Sequence, residues 1–175
     1  MNAVLQKSAA PAGLPAAFDG QALRAVLGCF PTGVTVVTAM TSRGPIGITA
    51  NSFTSVSLDP PLALVCIGAG SSRRRLIQDA GAFAVNILGE GQERVSRAFA
   101  AQPHEPFSDL STKSAVTGAP ILLDALAYLD CRIAGEFEAG DHVILLGEIL
   151  DLGILRDDRP LVFFRSRYAK LRPPA

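Results

Sequence analysis

The chain has 175 residues, enough for one domain with a sizeable core, and its 49% apolar and 18% charged side chains are the composition of a globular protein. Sixteen basic side chains balance sixteen acidic ones, so the basic surplus that a nucleic-acid footprint requires is missing. No apolar run reaches the roughly 18 residues of a membrane helix, and Cys29, Cys66 and Cys131 are too scattered for a disulfide framework or a metal cluster.

Residues 1–17 are rich in Ala and Pro and lack a compact hydrophobic segment followed by a cleavage site. They read as a flexible tail ahead of one domain over residues 18–175, in a soluble, cytoplasmic protein. Each cysteine has apolar neighbours and reads as a small buried hydrophobe in a reducing compartment. Asp19 can cap a helix whose apolar face is Leu23, Val26, Leu27 and Phe30, ended by Pro31 and Gly33. The β-branched run at residues 34–39 predicts a strand, residues 42–45 a turn, and residues 46–50 a second strand. Residues 52–58 are short and mixed, and Asp59-Pro60-Pro61 breaks them. The uninterrupted apolar run 62–67 predicts a strand of the buried kind. A short helix follows as far as Asp79, then a strand over 83–88 and a helix over 93–101 with Val95 and Phe99 on one side. Residues 102–120, with His104 and three prolines, read as loop. Two strands over 127–137 and 142–152 flank a Gly140-Asp141 turn, and a last strand at 161–164 precedes Arg165-Ser166-Arg167-Tyr168. With strands gathered at both ends and short helices as inserts, the fold class is mainly β: a closed or nearly closed antiparallel barrel with peripheral helices.

The triphosphate loop, the His-Glu-x-x-His zinc motif and the Gly-x-Ser-x-Gly elbow are all missing. With two histidines and no tryptophan, a catalyst built on this chain would borrow its chemistry from an organic cofactor. Gly68-Ala69-Gly70-Ser71-Ser72-Arg73 follows a strand and opens a helix, and Glu90 lies beyond the next strand. That is a partial dinucleotide fingerprint, but Arg73 stands where a third glycine would allow close helix–strand packing, and no further βαβ units follow. The same loop suits one phosphate monoester, through backbone N–H groups and the Ser71 and Ser72 hydroxyls. Arg73, Arg74 and Arg75 fan out around the helix, so one or two of them at most reach one anion. The alternative is an ordinary Ser-capped helix with a solvated basic turn. Thr49-Ala50-Asn51-Ser52 offers several donors without bulk to the edge of a polar heterocycle, or else simply ends a strand in an Asx turn. Thr32-Gly33-Val34 is first a helix-to-strand turn and second a close backbone approach to a ligand. Taken alone, His142 is a surface turn histidine and Tyr168 part of a polar tail.

In order along the chain, Phe30-Pro31-Thr32-Gly33-Val34-Thr35-Val36-Val37-Thr38, the block from Gly47-Ile48-Thr49-Ala50-Asn51-Ser52-Phe53 to Asp59-Pro60-Pro61, Phe83-Ala84-Val85-Asn86-Ile87-Leu88, Gly140-Asp141-His142 and Arg167-Tyr168 resemble one family. It is the flavin reductase components of two-component flavin monooxygenases, of the 4-hydroxyphenylacetate and phenol hydroxylase type. The resemblance spans about residues 19–171. It implies a homodimeric FMN-binding split barrel, an antiparallel Greek-key barrel, that reduces FMN or FAD with NADH or NADPH and supplies diffusible reduced flavin to a separate oxygenase. It also implies flavin contacts from Thr32, Gly33 and Val34, from Thr49, Ala50, Asn51 and Ser52, and from Cys66, Ile67 and Gly68. Ser71, Ser72 and Arg73 would hold the phosphate, and His142 and Tyr168 would face the nicotinamide. Other readings stay open: a pyridoxamine-phosphate-oxidase-like enzyme on the same barrel, or a flavin- or haem-binding module with His142 and Tyr168 as iron ligands.

Overall fold

The computed structural model describes residues 19–101 and 107–172. The Asp19 carboxylate accepts the Gln21 backbone N–H at 3.2 Å and caps α1 (Gly20–Leu27), as the sequence predicts. No residue of α1 is buried, so its apolar face finds no partner among the described residues, and Phe30 lies beyond the helix end, 76% exposed. Then follow β1 (Thr32–Gly33), β2 (Thr35–Thr41), β3 (Gly44–Ala50), β4 (Thr54–Leu58), β5 (Pro61–Gly68), α2 (Ser72–Ala80) and β6 (Ala82–Ile87). A single 3-10 turn at Glu90–Gln92 leads into α3 (Glu93–Ala100). The remainder is β7 (Thr112–Ser114), β8 (Pro120–Leu122), β9 (Ala127–Ala139), β10 (His142–Ile154), β11 (Val162–Phe164) and β12 (Arg167–Ala169).

Seven strands form one antiparallel sheet in the order β3-β2-β6-β9-β10-β5-β4. The sheet curls until Ser52, just past β3, bonds to Cys66 of β5 and joins its two sides. Two register shifts along the long β9–β10 pair, at Leu146/Gly147 and Ile149/Asp151, provide the bends that such curvature needs. Inside pack Val37, Val65, Ile67, Ile77, Phe83, Val85 and Leu145, with α2 supplying Ile77. Gly147 belongs to this interior: a Cβ there would lie 2.7 Å from Phe83 Cζ and 2.8 Å from Cys131 Cβ. A second cluster, Val34, Val36, Leu88, Phe99, Leu122, Ala125 and Leu161, joins α3 and a small sheet, β1-β11-β12, to the barrel. No helix among the described residues is long and apolar enough to cross a membrane.

Several expectations are corrected. The mixed segment 52–58 holds a true strand, β4. The apolar run of β5 buries only alternate residues, Ala63, Val65 and Ile67, because one face of a barrel strand meets the core. The stretch read as loop contains the β7–β8 hairpin, while His104 and the tail at residues 1–17 lie outside the described residues. Arg165 and Ser166 form the turn of a β11–β12 hairpin rather than a tail. Cys131 is buried as expected, but Cys29, just past the end of α1, is exposed, and no residue of that helix is buried to shield it.

Candidate functional site

Pairing of β1 with β11 sets Thr32 beside Phe163, and Phe163 packs edge-on against Tyr168 of β12, with ring centres 5.6 Å apart. Across from this hairpin, Ser96 of α3 ties two strands together. Its Oγ lies 2.8 Å from the Tyr168 hydroxyl, and its carbonyl accepts the Thr49 hydroxyl at 2.6 Å. The Arg97 guanidinium lies over the Tyr168 ring, 4.9 Å from its centre. Between these elements runs a set of adjoining cavities. One of about 200 Å³ is lined by Val34, Thr49, Asn51, Ser96, Phe163 and Tyr168. A second of about 470 Å³ includes Thr32, Gly33, Asn51 and Phe53, and a third of about 610 Å³ includes Thr32, Asn51, Ser52 and Phe163. Asn51 lines all three, so the end of β3 is the hub.

The polar groups here divide into committed and uncommitted ones. The Ala50 carbonyl accepts the Thr35 hydroxyl at 2.7 Å. The Ser52 hydroxyl donates to the Cys66 carbonyl at 2.8 Å and accepts the Cys66 N–H at 3.0 Å. Thr32 Oγ1, by contrast, is buried with no hydrogen-bond partner among the described residues, as is Ser71 Oγ at the start of α2. Leaving a buried hydroxyl unpaired costs about 1–3 kcal/mol, so each suits a ligand atom. Thr32, lining the cavities at Asn51, suits the polar edge of a ligand ring, and Ser71, at the start of α2, suits an anion.

The second half of the site is the rim around residues 68–72. His142 pairs across from Gly68, and the Ala69 N–H donates to the Asp141 carbonyl at 2.8 Å, so the Gly140 turn (φ +64°) is stitched to the loop. His142 Nδ1 lies 2.7 Å from Asp141 Oδ1; that bond, then the charge of His142 and more weakly that of Arg24, holds the Asp141 carboxyl below its usual range. Ser71 occupies the N-cap position of α2 and Ser72 the first helical residue. Arg73 does not fit the alternative reading of a solvated basic turn. It is 5% exposed, and both terminal guanidinium nitrogens sit 3.4 Å from the Ala101 carbonyl, at the negative end of α3.

The structure thus brings Thr32, Gly33, Val34, Thr49, Asn51, Ser52 and Tyr168 around one set of cavities, and Gly68, Ser71, Ser72 and His142 onto one rim. His142 is not among the residues lining the cavity that holds Tyr168. The Ile67 side chain is only 2% exposed and belongs to the core, so its backbone alone faces the rim. Burial raises the Cys66 thiol, and burial together with Asp130 pushes Cys131 up to about 12, so neither serves as a thiolate near neutral pH. Sequence reasoning missed Ser96, Phe163 and Arg97. Ser96 had a legible signal: a hydroxyl beside Val95 and Phe99 on the inward side of a short amphipathic helix is a buried polar group in want of a partner.

Residues 27–172 match the family model of the flavin reductase like domain. The FMN reductase (NADH) of Agrobacterium fabrum is 43% identical over 157 residues, covering 90% of this chain and 89% of that protein. The reductase subunit of a flavin-dependent monooxygenase of Rhodococcus jostii is 35% identical over 157 residues, covering 90% and 80%. The solved NADH:FAD oxidoreductase of Streptomyces globisporus superposes with a TM-score of 0.85 at 40% identity, covering 94% of this chain and all of that one. Some relatives are longer: against one from Rhizobium meliloti, 48% identical over 133 residues, the match spans 43% of its length. The barrel, the cavities around Asn51 and these likenesses agree, and the chain belongs to the flavin reductase family, with a split-barrel fold.

Proposed function

We propose that this chain oxidises NADH to reduce FMN or FAD and yields the reduced flavin to a separate oxygenase component. The observation that carries the reading is the unpartnered Thr32 hydroxyl buried next to Asn51, at the meeting of the three cavities. When bound, the flavin supplies the chemistry, taking up a hydride from the reduced nicotinamide. Thr32 and Asn51 hold the polar edge of its ring, Val34 and Thr49 line the side that Ser96 and Tyr168 close, and Ser71, Ser72 and Arg73 hold its phosphate at the start of α2. The Tyr168 ring, braced by Ser96 and Phe163, excludes water from the stacked rings, and His142 donates to the nicotinamide side. Alignment of two flat rings is the main task, and no side-chain acid or base is required for it.

A homodimer belongs to the same proposal. Val26, Leu27 and Phe30, together with Leu58 at the end of β4 and Ile154 at the end of β10, are exposed apolar side chains that a second copy would cover. The working protein is a cytoplasmic dimer with a single domain in each chain. The test is absorbance at 340 nm with purified protein, NADH and each flavin in turn, with light scattering for the mass in solution. NADH consumption that appears only when FMN or FAD is added, from a particle of twice the chain mass, is the expected result. Failure to consume NADH with any flavin would refute the activity, and a monomer that turns over would refute the dimer.

A further inference from the structure

Beyond the Asn51 hub, the about 610 Å³ groove continues past Arg24, Arg165 and Ser166, and the same three residues line a neighbouring cavity of about 710 Å³ with Gln21, Ala25 and Cys29. Neither arginine has a carboxylate in salt-bridge contact among the described residues, although Arg24 lies close enough to Asp141 to favour its ionised form. Arg165 makes a different commitment. Its backbone N–H donates to the Gly28 carbonyl at 2.8 Å, and its guanidinium lies 5.2 Å from the centre of the Phe164 ring. Both central residues of this hairpin turn have positive φ, Arg165 at 48° and Ser166 at 60°. Glycine and asparagine fill such positions cheaply. Here the turn instead presents an arginine and a serine to the cavity, in a backbone conformation that L side chains adopt at a cost.

We infer that Arg24 and Arg165 form a phosphate subsite for the adenylate half of a dinucleotide whose ring-bearing half occupies the groove at Thr32 and Asn51. Two guanidinium forks facing a cavity of this size match a diphosphate, which offers several oxygens to bidentate donors. The cavity volume falls within the range of nucleotide-sized sites. Continuity matters as much as charge: a ligand leaving the flavin groove must pass Arg165 and Ser166 to go further. A mononucleotide held at the start of α2 would leave this second cavity untouched. The inference rests on the flavin reductase reading for the identity of the ring-bearing half. The arginine pair itself is testable without turnover.

The probes are ADP, FAD, FMN and NADH, applied to the wild type and to Arg24→Gln, Arg165→Gln and Arg165→Gly. Loss of one charged hydrogen bond corresponds to a roughly ten- to hundredfold change in affinity. ADP binding by calorimetry should weaken by at least about tenfold in each variant, while FMN binding stays within about twofold. If the adenylate belongs to FAD, the FAD dissociation constant rises by the same factor. If it belongs to the nicotinamide, the KM for NADH rises and FAD is unaffected. Either pattern supports the subsite. Arg165→Gly separates binding from bracing, because glycine accepts positive φ without strain. Its melting temperature should hold or rise while ADP binding weakens. Unchanged ADP affinity, equal losses for FMN and FAD, or an Arg165→Gly variant that loses stability and affinity together would overturn the inference. A wild type that binds ADP through the arginines but never oxidises NADH would leave the subsite standing and refute the activity instead.

Discussion

Ser52→Ala tests whether this serine, placed in the proposed flavin site, is first a barrel clip. Thr54 pairs with Leu64 at the end of the β4–β5 ladder, and two residues on along β5 the next pairing partner is Cys66. At that point the chain is already turning away towards β3, and the Ser52 side chain takes the place of a backbone, donating to Cys66 O and accepting from Cys66 N. Two neutral hydrogen bonds at about 0.5–1.5 kcal/mol each make the hydroxyl worth about 2 kcal/mol. For a chain of this size that is a fall in melting temperature of about 4–8 °C. Thermal unfolding followed by circular dichroism measures it, and fluorescence quenching gives flavin affinity on the same sample. Flavin affinity should fall only modestly, because Thr32 and Asn51 remain. An unchanged melting temperature with flavin binding lost more than about a hundredfold would refute the argument and give the hydroxyl to the ligand.

Tyr168→Phe removes the bond to Ser96 and should slow flavin reduction by NADH several-fold in stopped flow, with flavin affinity unchanged; an unaltered rate would take Tyr168 out of the site. Arg73→Ala should weaken FMN by about 1.5–3 kcal/mol and spare riboflavin, as titration of both ligands would show. Burial, and then Asp130, pushes the Cys131 thiol from its ordinary 9.0 up to about 12, so its contribution to stability is complete below about pH 9 and declines as pH rises towards 12. Urea midpoints between pH 9 and 11 should fall in the wild type and stay flatter in Cys131→Ala, and a thiol reagent at pH 8 should modify exposed Cys29 before the other two.

What the sequence made legible follows from where each signal originates. The β2 run and the apolar stretches of β5 and β6 were readable because β-branched and apolar residues act locally, through side-chain packing against a pleated surface. The Asp19 cap and the Gly140-Asp141 turn were readable for the same reason: their hydrogen bonds close within a few residues. The β7–β8 hairpin was not, because two strands of three residues are held by the barrel they lie on. Buried Thr38 and Asn86 both reach the Pro120 carbonyl, and the Leu122 N–H donates to Asn86, over separations of 34 to 82 residues. The burial of Arg73 was hidden for the same reason, since one acceptor is Ala101, at the end of a different helix. The residues of the site were visible as Thr32, Thr49, Asn51 and Tyr168. Their mutual arrangement was not, because it depends on Ser96, which touches two of them from α3.

The chemical character of the cavities bears on how such a protein can let its product go. Around Asn51 the side chains of Thr32, Thr49, Ser52, Ser96 and Tyr168 are neutral, and guanidinium groups stand at the margins, Arg97 over the Tyr168 ring and Arg24 and Arg165 along the groove. Reducing a bound ring changes its electron count and the charge along its polar edge, and a fixed ammonium or guanidinium at that edge would grip one charge state far more tightly than the other. Hydroxyls can rotate to donate or accept, and one amide offers both functions, so the contacts at the edge survive the change with modest differences in energy. The full charges stand elsewhere, Arg24 and Arg165 along the groove and Arg73 beneath the loop, where on the proposed reading they would meet phosphates that do not react. Affinity is thereby placed on the part of the ligand that is the same before and after hydride transfer. A carrier whose reduced product has to leave for another protein requires that separation, and under the proposed function it would rest on which residues the barrel turns towards Asn51 and which it keeps at the margin.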